Sequence, residues 1–384
     1  MVRTGIDRLH ELKNLFAGKR IALVTGASGL SRELVSSVDC FMDTYRLSLL
    51  LSPEHGVRGE LQAGVAAEDF VDARTGVRCV SLFPGGFAED GGLDAATRAI
   101  ADVDIVAFDL QDAGSRYYTY ASTLFYLMHA CAKVGRPIVV MDRPNPLGGI
   151  RLEGNTHRDE NLSFIGRTHV PIRHGMTMGE LGRFFNGEYN IGCELYVAEM
   201  DGWKRSMWYD DTGLPFTPPS PNLPTLNSMA VYNGTCLFEG TNVTVGRGTT
   251  EPFTLIGAPY VDGHKLARRL NELKLPGLKF AEAWFAPWFA KYQGVTCGGV
   301  RIHVQDRRAV DGVRTGVAMM RAMQDMCSEF EFRAPTDGGR WHIDIASGTD
   351  DLRRGVLTAD EICEKWSAEA EAFRPTLEKY ALYE

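Results

Sequence analysis

The sequence has no apolar run long enough to cross a membrane and no basic run long enough to follow a nucleic acid backbone. Its longest apolar stretches, such as residues 46–51 and 103–110, have the length of a strand, whereas a spanning helix needs about 20 residues. The formal net charge of the 384 residues is −8, which disfavours contact with phosphates. We therefore expect neither a membrane nor a nucleic acid as a partner.

The sequence also lacks the spacings that disulfide scaffolds, metal sites and secretion signals use. Its eight cysteines stand singly, with no Cys-x-x-Cys pair, so we expect reduced and mostly buried thiols. Histidines and carboxylates show no metal-ligand spacing, and no metal is predicted. Residues 1–20 carry scattered charges and no apolar core of a signal. This predicts a cytoplasmic protein as the sequence stands, or a secreted or periplasmic one if a signal has been removed.

A complete dinucleotide-binding turn is missing as well. The first apolar run ends in Thr-Gly-Ala-Ser-Gly-Leu at 25–30, which has no third glycine, and the second run ends in Ser-Pro-Glu-His at 52–55 instead of a lone acid. A plain turn between a strand and a helix is therefore favoured, and no cofactor is predicted. An NAD-dependent oxidoreductase is an alternative that this turn and the strand pattern support.

Apolar runs alternate with helical stretches through the first 150 residues. The runs lie at 20–25, 47–51, 77–82, 103–110 and 137–141, and helical spacing occurs at 31–42, 93–101 and 122–133. This alternation predicts an α/β fold with a doubly wound, mostly parallel sheet covered on both faces. After residue 150 proline and glycine become frequent, so we predict one domain at 1–155 and a second, α+β domain at 156–384. Within the second domain we expect helices at 179–186, 263–273 and 312–326 and a strand at 299–304.

The second predicted strand ends in a short, stiff segment. Glu54 follows a proline there, and glycines at 56 and 59 permit positive φ. In a doubly wound sheet such a segment lies at the lip of the ligand crevice. A partly dry crevice disfavours a charged carboxylate, so an acid there can hold a proton for a leaving oxygen. Glu54 is therefore the candidate catalytic acid, with His55 and Arg58 as candidate ligands; a turn with solvated charges is the alternative.

The fourth predicted strand is followed by acids, an amide, an arginine and three tyrosines. This mixture suits a sugar, whose hydroxyls bond to planar polar groups and whose C–H faces pack on aromatic rings. Asp109 and Asp112 are candidate catalytic carboxylates, although either could instead cap the next helix while the tyrosines fill the core. The candidate substrate ligands of this segment are Gln111, Arg116, Tyr118 and Tyr120.

The fifth predicted strand is followed by Asp142, Arg143 and Asn145, with prolines at 144 and 146. A rigid loop here could aim these side chains into the crevice, with Asp142 as a further candidate carboxylate. The alternative is a linker into the second domain, in which Asp142 pairs with an arginine.

The second half contributes a helix start and two polar loops. Thr-x-x-Glu at 177–180 is a capping box that predicts a helix N-terminus. Arg173 and His174, just before it, are free to face a ligand. The loops at 220–225 and 239–253 are too rich in polar residues and glycine to be core, and could fold over the crevice or form ordered surface turns. Their candidate substrate ligands are Asn222, Glu239, Asn242 and Arg247.

Together these segments resemble a known family, the bacterial exo-β-N-acetylmuramidases, which are peptidoglycan-recycling glycoside hydrolases. The resemblance implies a Rossmann-like catalytic domain without a nucleotide, an accessory domain that closes the cleft, and Glu54 as the catalytic glutamate. The turn at 25–30 departs from the Asn-containing form of the family. Seven ordered motifs carry the match over nearly the whole chain: Ser-Pro-Glu-His-Gly at 52–56, Asp-x-Gln-Asp at 109–112, Arg-x-Tyr-Thr-Tyr at 116–120, Asp-Arg-Pro-Asn-Pro at 142–146, Arg-His-Gly-Met-Thr at 173–177, Ser-Pro-Asn at 220–222, and Glu-Gly-Thr-Asn through Gly-Arg-Gly-Thr-Thr at 239–250.

The resemblance predicts release of terminal N-acetylmuramic acid (MurNAc) from the non-reducing end of fragments such as MurNAc-GlcNAc. Glu54 would protonate the glycosidic oxygen as an oxocarbenium-like transition state forms, and Asp109, Asp112 or Asp142 would be the second carboxylate. The 2-acetamido group of the substrate could attack instead, so retaining and inverting routes both stay open. A non-catalytic muropeptide-binding protein is a further alternative.

Selection of MurNAc over GlcNAc requires recognition of its lactyl carboxylate. In a protein of net charge −8 an anion needs a local cation, and the planar fork of arginine suits a carboxylate best. We expect Arg116, Arg143, Arg173 or Arg247 to make this contact. The expected partner is therefore a small sugar or muropeptide; the sequence does not indicate an oligomeric state.

Overall fold

A seven-stranded sheet forms the centre of the computed structural model, which describes residues 1–66, 68–83, 92–335 and 339–384. The strand order is β3-β4-β2-β1-β5-β6-β7, and all neighbours are parallel except β3 and β4. The strands are β1 (Ile21–Thr25), β2 (Leu47–Ser52), β3 (Phe70–Val71), β4 (Arg78–Ser81), β5 (Ile105–Asp109), β6 (Ile138–Met141) and β7 (Leu195–Ala198). Each of the five predicted runs coincides with one of these strands to within two residues at either end, which confirms the α/β fold class.

The central strands are apolar along their whole length because both faces of the sheet are covered. Ile21 and Leu23 of β1 belong to one core, with side chains of the N-terminal 3-10 helix and of the helix after β1. Ala22 and Val24 belong to the other core, with side chains of the helix between β5 and β6. Alternate residues thus enter opposite cores, which is why a parallel strand shows a continuous apolar run.

Side-chain caps fix where two helices of the first half begin. The helix predicted at 31–42 begins only at Ser37, because the side chain of Ser36 accepts a hydrogen bond from the backbone of Asp39 and caps it there. The capping box predicted at 177–180 is confirmed. These helices are α1 (Lys13–Phe16), α2 (Ser37–Thr44), α3 (Leu93–Ala99), α4 (Tyr120–Val134) and α5 (Met178–Glu188).

The second part of the chain contains a small antiparallel sheet and further helices. The sheet has the order β8-β10-β9 and consists of β8 (Leu255–Ala258), β9 (Leu278–Phe285) and β10 (Cys297–Val304). The strand predicted at 299–304 lies in β10, and helices occur at the three predicted places. The helices are α6 (Leu226–Thr235), α7 (Gly263–Glu272), α8 (Gly312–Met326), α9 (His342–Ser347), α10 (Asp351–Arg354), α11 (Ala359–Ala372) and α12 (Arg374–Tyr380).

Strand β7 was missed by sequence reasoning. It has four residues, and only its last residue is buried, so it shows neither a long apolar run nor a clear alternation. It nevertheless pairs in parallel with β6 and extends the first sheet. The sheet therefore takes a strand from beyond residue 155, where we placed the domain boundary.

Candidate active site

A strained turn positions Glu54 beyond the end of β2. His55 and Gly56 follow with φ of 73° and 81°, and Gly59 has φ of 78°. A left-handed histidine is uncommon, and such conformations concentrate at functional sites. The backbone N–H of Leu61 donates to the His55 carbonyl over 3.1 Å and closes the loop. The two glycines therefore serve the turn as the sequence predicted.

Two hydrogen bonds fix the orientation of the Glu54 carboxyl group. The Thr119 hydroxyl donates to Oε2 over 2.5 Å, and the Gly64 backbone N–H donates to Oε1 over 3.0 Å. Thr119 is the N-cap of α4, so the donor is part of the rigid scaffold. The carboxyl group thus points in a defined direction while it remains half-buried at the pocket wall.

His55 is buried beside Glu54 and is held neutral. Its Nδ1 lies 3.2 Å from the Leu61 carbonyl, which can only accept, so Nδ1 carries the proton. Burial lowers the pKa of His55 below its ordinary value, while the charge of Glu54 acts in the opposite direction. A neutral imidazole beside the carboxyl group can orient a hydroxyl but does not compete as the acid.

Tyr118 and Tyr120 connect the two halves of the site. Their hydroxyls donate to the Pro219 carbonyl over 2.7 and 3.3 Å, and their rings meet edge to face at 4.7 Å. Pro219 directly precedes the loop that carries Asn222, whose amide donates to Gln62 Oε1 over 3.0 Å. The loops after β2 and before α6 are thereby fastened to each other across the site.

The far wall carries an ion pair between Glu239 and Arg247. Arg247 Nε lies 2.6 Å from Oε1 and its Nη2 lies 3.3 Å from Oε2, and the guanidinium group sits 5.0 Å from the centre of the Phe253 ring. Burial alone would raise the pKa of Glu239, but Arg247 and, more weakly, His342 and Lys291 hold it below its ordinary value. Both members of the pair are oriented and face the same cavity.

These groups line one pocket of about 500 Å³, which we call the Glu54 pocket. This volume lies in the usual range for small-molecule sites, about 300–1,000 Å³. The predicted site residues that line it are Glu54, His55, Tyr118, Asn222, Glu239 and Arg247. Tyr120 lies directly behind it, with its hydroxyl oxygen also 3.3 Å from the Glu54 backbone carbonyl.

Two of the predicted carboxylates are engaged in buried pairs and are not among the residues that line the Glu54 pocket. Asp109 accepts from Arg143 Nε and Nη2 over 2.6 and 2.8 Å and also from the Ser37 hydroxyl. Asp112 accepts from the Gly114 backbone over 2.7 Å, and its Oδ2 lies 3.3 Å from His174 Nε2. Arg143 thus balances the buried charge of Asp109, whereas Asp112 Oδ1 is buried and has no hydrogen-bond partner in the part of the chain that the structure describes.

Asp142, the third predicted carboxylate, is also fully buried. It accepts hydrogen bonds from Tyr383, Thr177 and the Gly179 backbone over 2.6, 2.7 and 2.8 Å. Burial raises its pKa to about 7, while these hydrogen bonds act in the opposite direction. The side chain therefore ties the chain end and the start of α5 to the end of β6.

The remaining predicted ligands are held by the fold. Arg173 pairs with Glu153 over 2.5 Å and Arg58 with Asp72 over 3.1 Å. The other side chains bond mainly to backbone groups. Arg116 donates to the carbonyls of Asn155, Val170, Ala346 and Ser347. Gln111 donates to the carbonyls of Asp112 and Pro144, and Asn145 donates to that of Met176. Asn242 donates to the Glu329 carbonyl and accepts from the Glu331 N–H and the Tyr260 hydroxyl.

Sequence reasoning missed several polar residues of the pocket. Thr119 lies inside the Arg-x-Tyr-Thr-Tyr motif, so its signal was present but was not used. Gln62, Tyr232 and His342 also line the pocket. His342 begins α9, nearly 290 residues after Glu54, and no local pattern marks it. Long-range packing alone brings such a residue to the site.

Metal-ligand clusters, membrane-spanning helices and disulfides are absent from the described residues. In the ranges that the structure describes, no three His, Cys, Asp or Glu side chains are grouped as metal ligands. Over the same ranges, the helices are too short or too polar to cross a bilayer. The eight cysteines are all unpaired.

A mostly parallel sheet with an oriented carboxyl group and aromatic walls at its carboxyl edge defines the class of this protein. It is an α/β enzyme with a pocket for a small polar ligand. Family models identify it further: the N-terminal model of the exo-β-N-acetylmuramidase NamZ matches residues 21–227, and the C-terminal model matches residues 230–383. The chain belongs to this family of glycoside hydrolases.

Individual relatives agree with this assignment. The chain is 42% identical over 390 aligned residues to the peptidoglycan β-N-acetylmuramidase NamZ of Bacillus subtilis strain 168, covering 100% of this chain and 91% of that protein. It is also similar to two crystal structures of DUF1343 family proteins from Bacteroides fragilis. The first has 30% identity and a TM-score of 0.85, and the second 28% and 0.78; each covers 100% of this chain and 99% of the other.

Proposed function

We propose that this protein is an exo-acting glycoside hydrolase that releases terminal MurNAc from the non-reducing end of peptidoglycan fragments. The observation that carries the proposal is the Glu54 carboxyl group, oriented by Thr119 and Gly64 in a pocket of about 500 Å³. Membership of the muramidase family supports the substrate class and removes the ground for the oxidoreductase alternative.

Glu54 is the proposed general acid. Its carboxyl group is half-buried, lines the pocket and is held in one direction, which is what proton transfer to a glycosidic oxygen requires. The neighbouring His55 is neutral through its burial, so it does not hold the proton that the leaving oxygen needs. Protonation by Glu54 would accompany the formation of the oxocarbenium-like transition state.

The second catalytic group is proposed to be the 2-acetamido group of the substrate. Asp109, Asp112 and Asp142 are bound by buried partners, and Glu239, a second carboxylate on the pocket wall, is neutralised by Arg247. Attack by the acetamido oxygen retains the anomeric configuration. Nuclear magnetic resonance of the first released sugar is expected to show the β-anomer, and release of the α-anomer would contradict this route.

Arg247 is the proposed ligand of the lactyl carboxylate. The other three candidates are not among the residues that line the Glu54 pocket: Arg143 bonds to Asp109, Arg173 to Glu153 and Arg116 to four carbonyl groups. Arg247 lines the pocket. A chamber of about 220 Å³ beside it is also lined by the cationic side chains of Lys291 and Arg333. The cations around this chamber outnumber the single carboxylate of Glu239. They therefore favour the binding of an anion, although the net negative charge of the protein repels it.

The test is hydrolysis of matched glycosides. The p-nitrophenyl β-glycoside of MurNAc is expected to be cleaved with a higher kcat/KM than that of GlcNAc, and MurNAc-GlcNAc is expected to yield both sugars. The disaccharide with the reversed order, GlcNAc-MurNAc, should resist cleavage because the sugar at its non-reducing end lacks the lactyl group. Tight binding of MurNAc-GlcNAc without release of MurNAc would show instead a muropeptide-binding protein.

A further inference from the structure

An exposed tryptophan stands at the rim of the Glu54 pocket. Trp288 is 85% exposed, and it lies in the loop between β9 and β10. The next two residues, Phe289 and Ala290, line the pocket, and Phe289 is itself 38% exposed, so this loop forms part of the mouth. Trp288 and Phe289 together expose aromatic surface at this mouth, and contiguous exposed apolar surface beside a groove marks an interaction site.

The loop that carries Trp288 is fastened to the rest of the site. The Trp288 backbone N–H donates to the Gly248 carbonyl over 2.7 Å, Lys291 Nζ donates to the Val243 carbonyl over 2.9 Å, and the Tyr292 hydroxyl donates to the Asn242 carbonyl over 2.7 Å. The indole therefore stands on an anchored loop, which one backbone and two side-chain hydrogen bonds hold in place.

Gly248 shows how closely this loop approaches the loop that carries Arg247. A Cβ atom at position 248 would lie 2.4 Å from the Phe289 carbonyl oxygen, and Gly248 has φ of 81°. Only glycine satisfies both conditions without strain. The glycine in Gly-Arg-Gly at 246–248 thus fixes the rim loop beside Arg247, so that the position of Trp288 is coupled to that of the pocket wall.

We propose that Trp288 is a stacking platform for the sugar on the leaving side of the scissile bond. This inference rests on the proposed function. When the terminal sugar lies beside Glu54, the rest of an exo-acting enzyme's substrate must extend out of the pocket through its mouth. A pyranose ring presents an apolar C–H face, and a flat aromatic ring is the side chain that packs best against it. The occupant is therefore a neutral N-acetylhexosamine of the glycan chain.

A neighbouring tryptophan supplies a matched control. Trp284 is also exposed, at 65%. It belongs to β9, however, where it is paired with Gly298 and its indole N–H donates to Glu282 over 2.8 Å. Trp284→Ala removes the same type of side chain from the small sheet, whereas Trp288→Ala removes it from the rim.

The experiment compares two substrates that share MurNAc and differ in the leaving group. MurNAc-GlcNAc carries a sugar there, and the methyl β-glycoside of MurNAc carries none. Trp288→Ala is expected to lower kcat/KM for the disaccharide by about 10-fold, which corresponds to the loss of one aromatic stacking contact. The same variant should leave kcat/KM for the methyl glycoside unchanged. Trp288→Phe should retain most of the disaccharide activity, and Trp284→Ala should leave both substrates unaffected.

Three results would overturn the inference. Trp288→Ala could leave the disaccharide unaffected, or it could reduce both substrates equally, which would indicate damage to the pocket. Alternatively, sedimentation could show that wild-type protein self-associates and Trp288→Ala does not, with kinetics unchanged, which would assign the indole to a second copy. If wild-type protein releases MurNAc from neither substrate, the proposed function itself fails, and these outcomes are thereby distinguished.

Discussion

The buried pair of Asp109 and Arg143 offers a sharp test of how the sequence-predicted acids are used. Asp109→Asn keeps the size of the side chain and removes its charge. In the wild type this carboxylate accepts from Arg143 at 2.6 and 2.8 Å and from the Ser37 hydroxyl, and the Arg143 side chain is 4% exposed. The substitution would leave a buried guanidinium group without a counter-charge and place an amide N–H₂ near its donors.

The expected loss of unfolding free energy is large. Removing one partner of a buried ion pair costs about 3–5 kcal/mol, which is a substantial part of the total of about 5–15 kcal/mol that holds a typical domain. Removing both charges, with Asp109→Asn combined with Arg143→Gln, should cost less than Asp109→Asn alone, because no uncompensated charge then remains in the interior.

Urea denaturation followed by circular dichroism measures this loss as a lower midpoint at unchanged slope. Asp104→Asn is the control, since it makes the same change at the other end of β5, where Asp104 pairs with Arg20 at the surface, and its effect should be much smaller. If Asp109→Asn is as stable as wild type yet loses turnover, Asp109 does not have this structural role, and the catalytic role predicted from the sequence is favoured.

Three further predictions concern the lactyl group, pH and metals. Arg247→Ala should reduce the preference of kcat/KM for MurNAc over GlcNAc glycosides by about 2–5 kcal/mol, and an unchanged ratio would place lactyl recognition elsewhere. Burial raises the pKa of Asp142 to about 7 in the folded protein, whereas an aspartate in the unfolded chain has a pKa of about 4. Between these two pH values the folded protein therefore holds a proton that the unfolded chain has released. The unfolding free energy should therefore decrease as pH rises from about 4 to 7, and Asp142→Asn should flatten this dependence; equal slopes in urea titrations of the two proteins would refute it. Turnover should survive dialysis against a chelator, since the described residues contain no cluster of metal ligands; a loss that a divalent ion restores would contradict this.

The strands of the first half could be predicted because their burial leaves a direct trace in the sequence. β1 is buried at all five positions, so apolar character runs through it without interruption. β7 could not be predicted in the same way. It is a short edge strand whose first three residues are partly exposed, and its place beside β6 depends on pairing across more than 50 residues of chain.

The site was predictable as far as the strand ends and the two polar loops that carry Asn222, Glu239 and Arg247. Parallel strands bring Glu54, Asp109 and Asp142 to one edge of the sheet, so the sequence shows that all three are near it. It does not show which side chains satisfy one another. Asp109 is bound by Arg143 and Asp142 by Tyr383. His342, which lines the pocket, comes from α9. Tertiary packing decides which acid stays available for catalysis, and it leaves no local pattern in the sequence.

The most direct test of the account is the dependence of Glu54→Gln on the leaving group. The variant should lose at least about 100-fold in kcat on MurNAc-GlcNAc, whose leaving oxygen needs a proton. It should lose far less on the 2,4-dinitrophenyl glycoside of MurNAc, whose leaving group departs without one. Glu60→Gln, which changes an exposed acid in the same segment, should behave like wild type on both. Near wild-type turnover of Glu54→Gln on the disaccharide, or equal losses on the two substrates, would contradict the assignment of Glu54 as the catalytic acid.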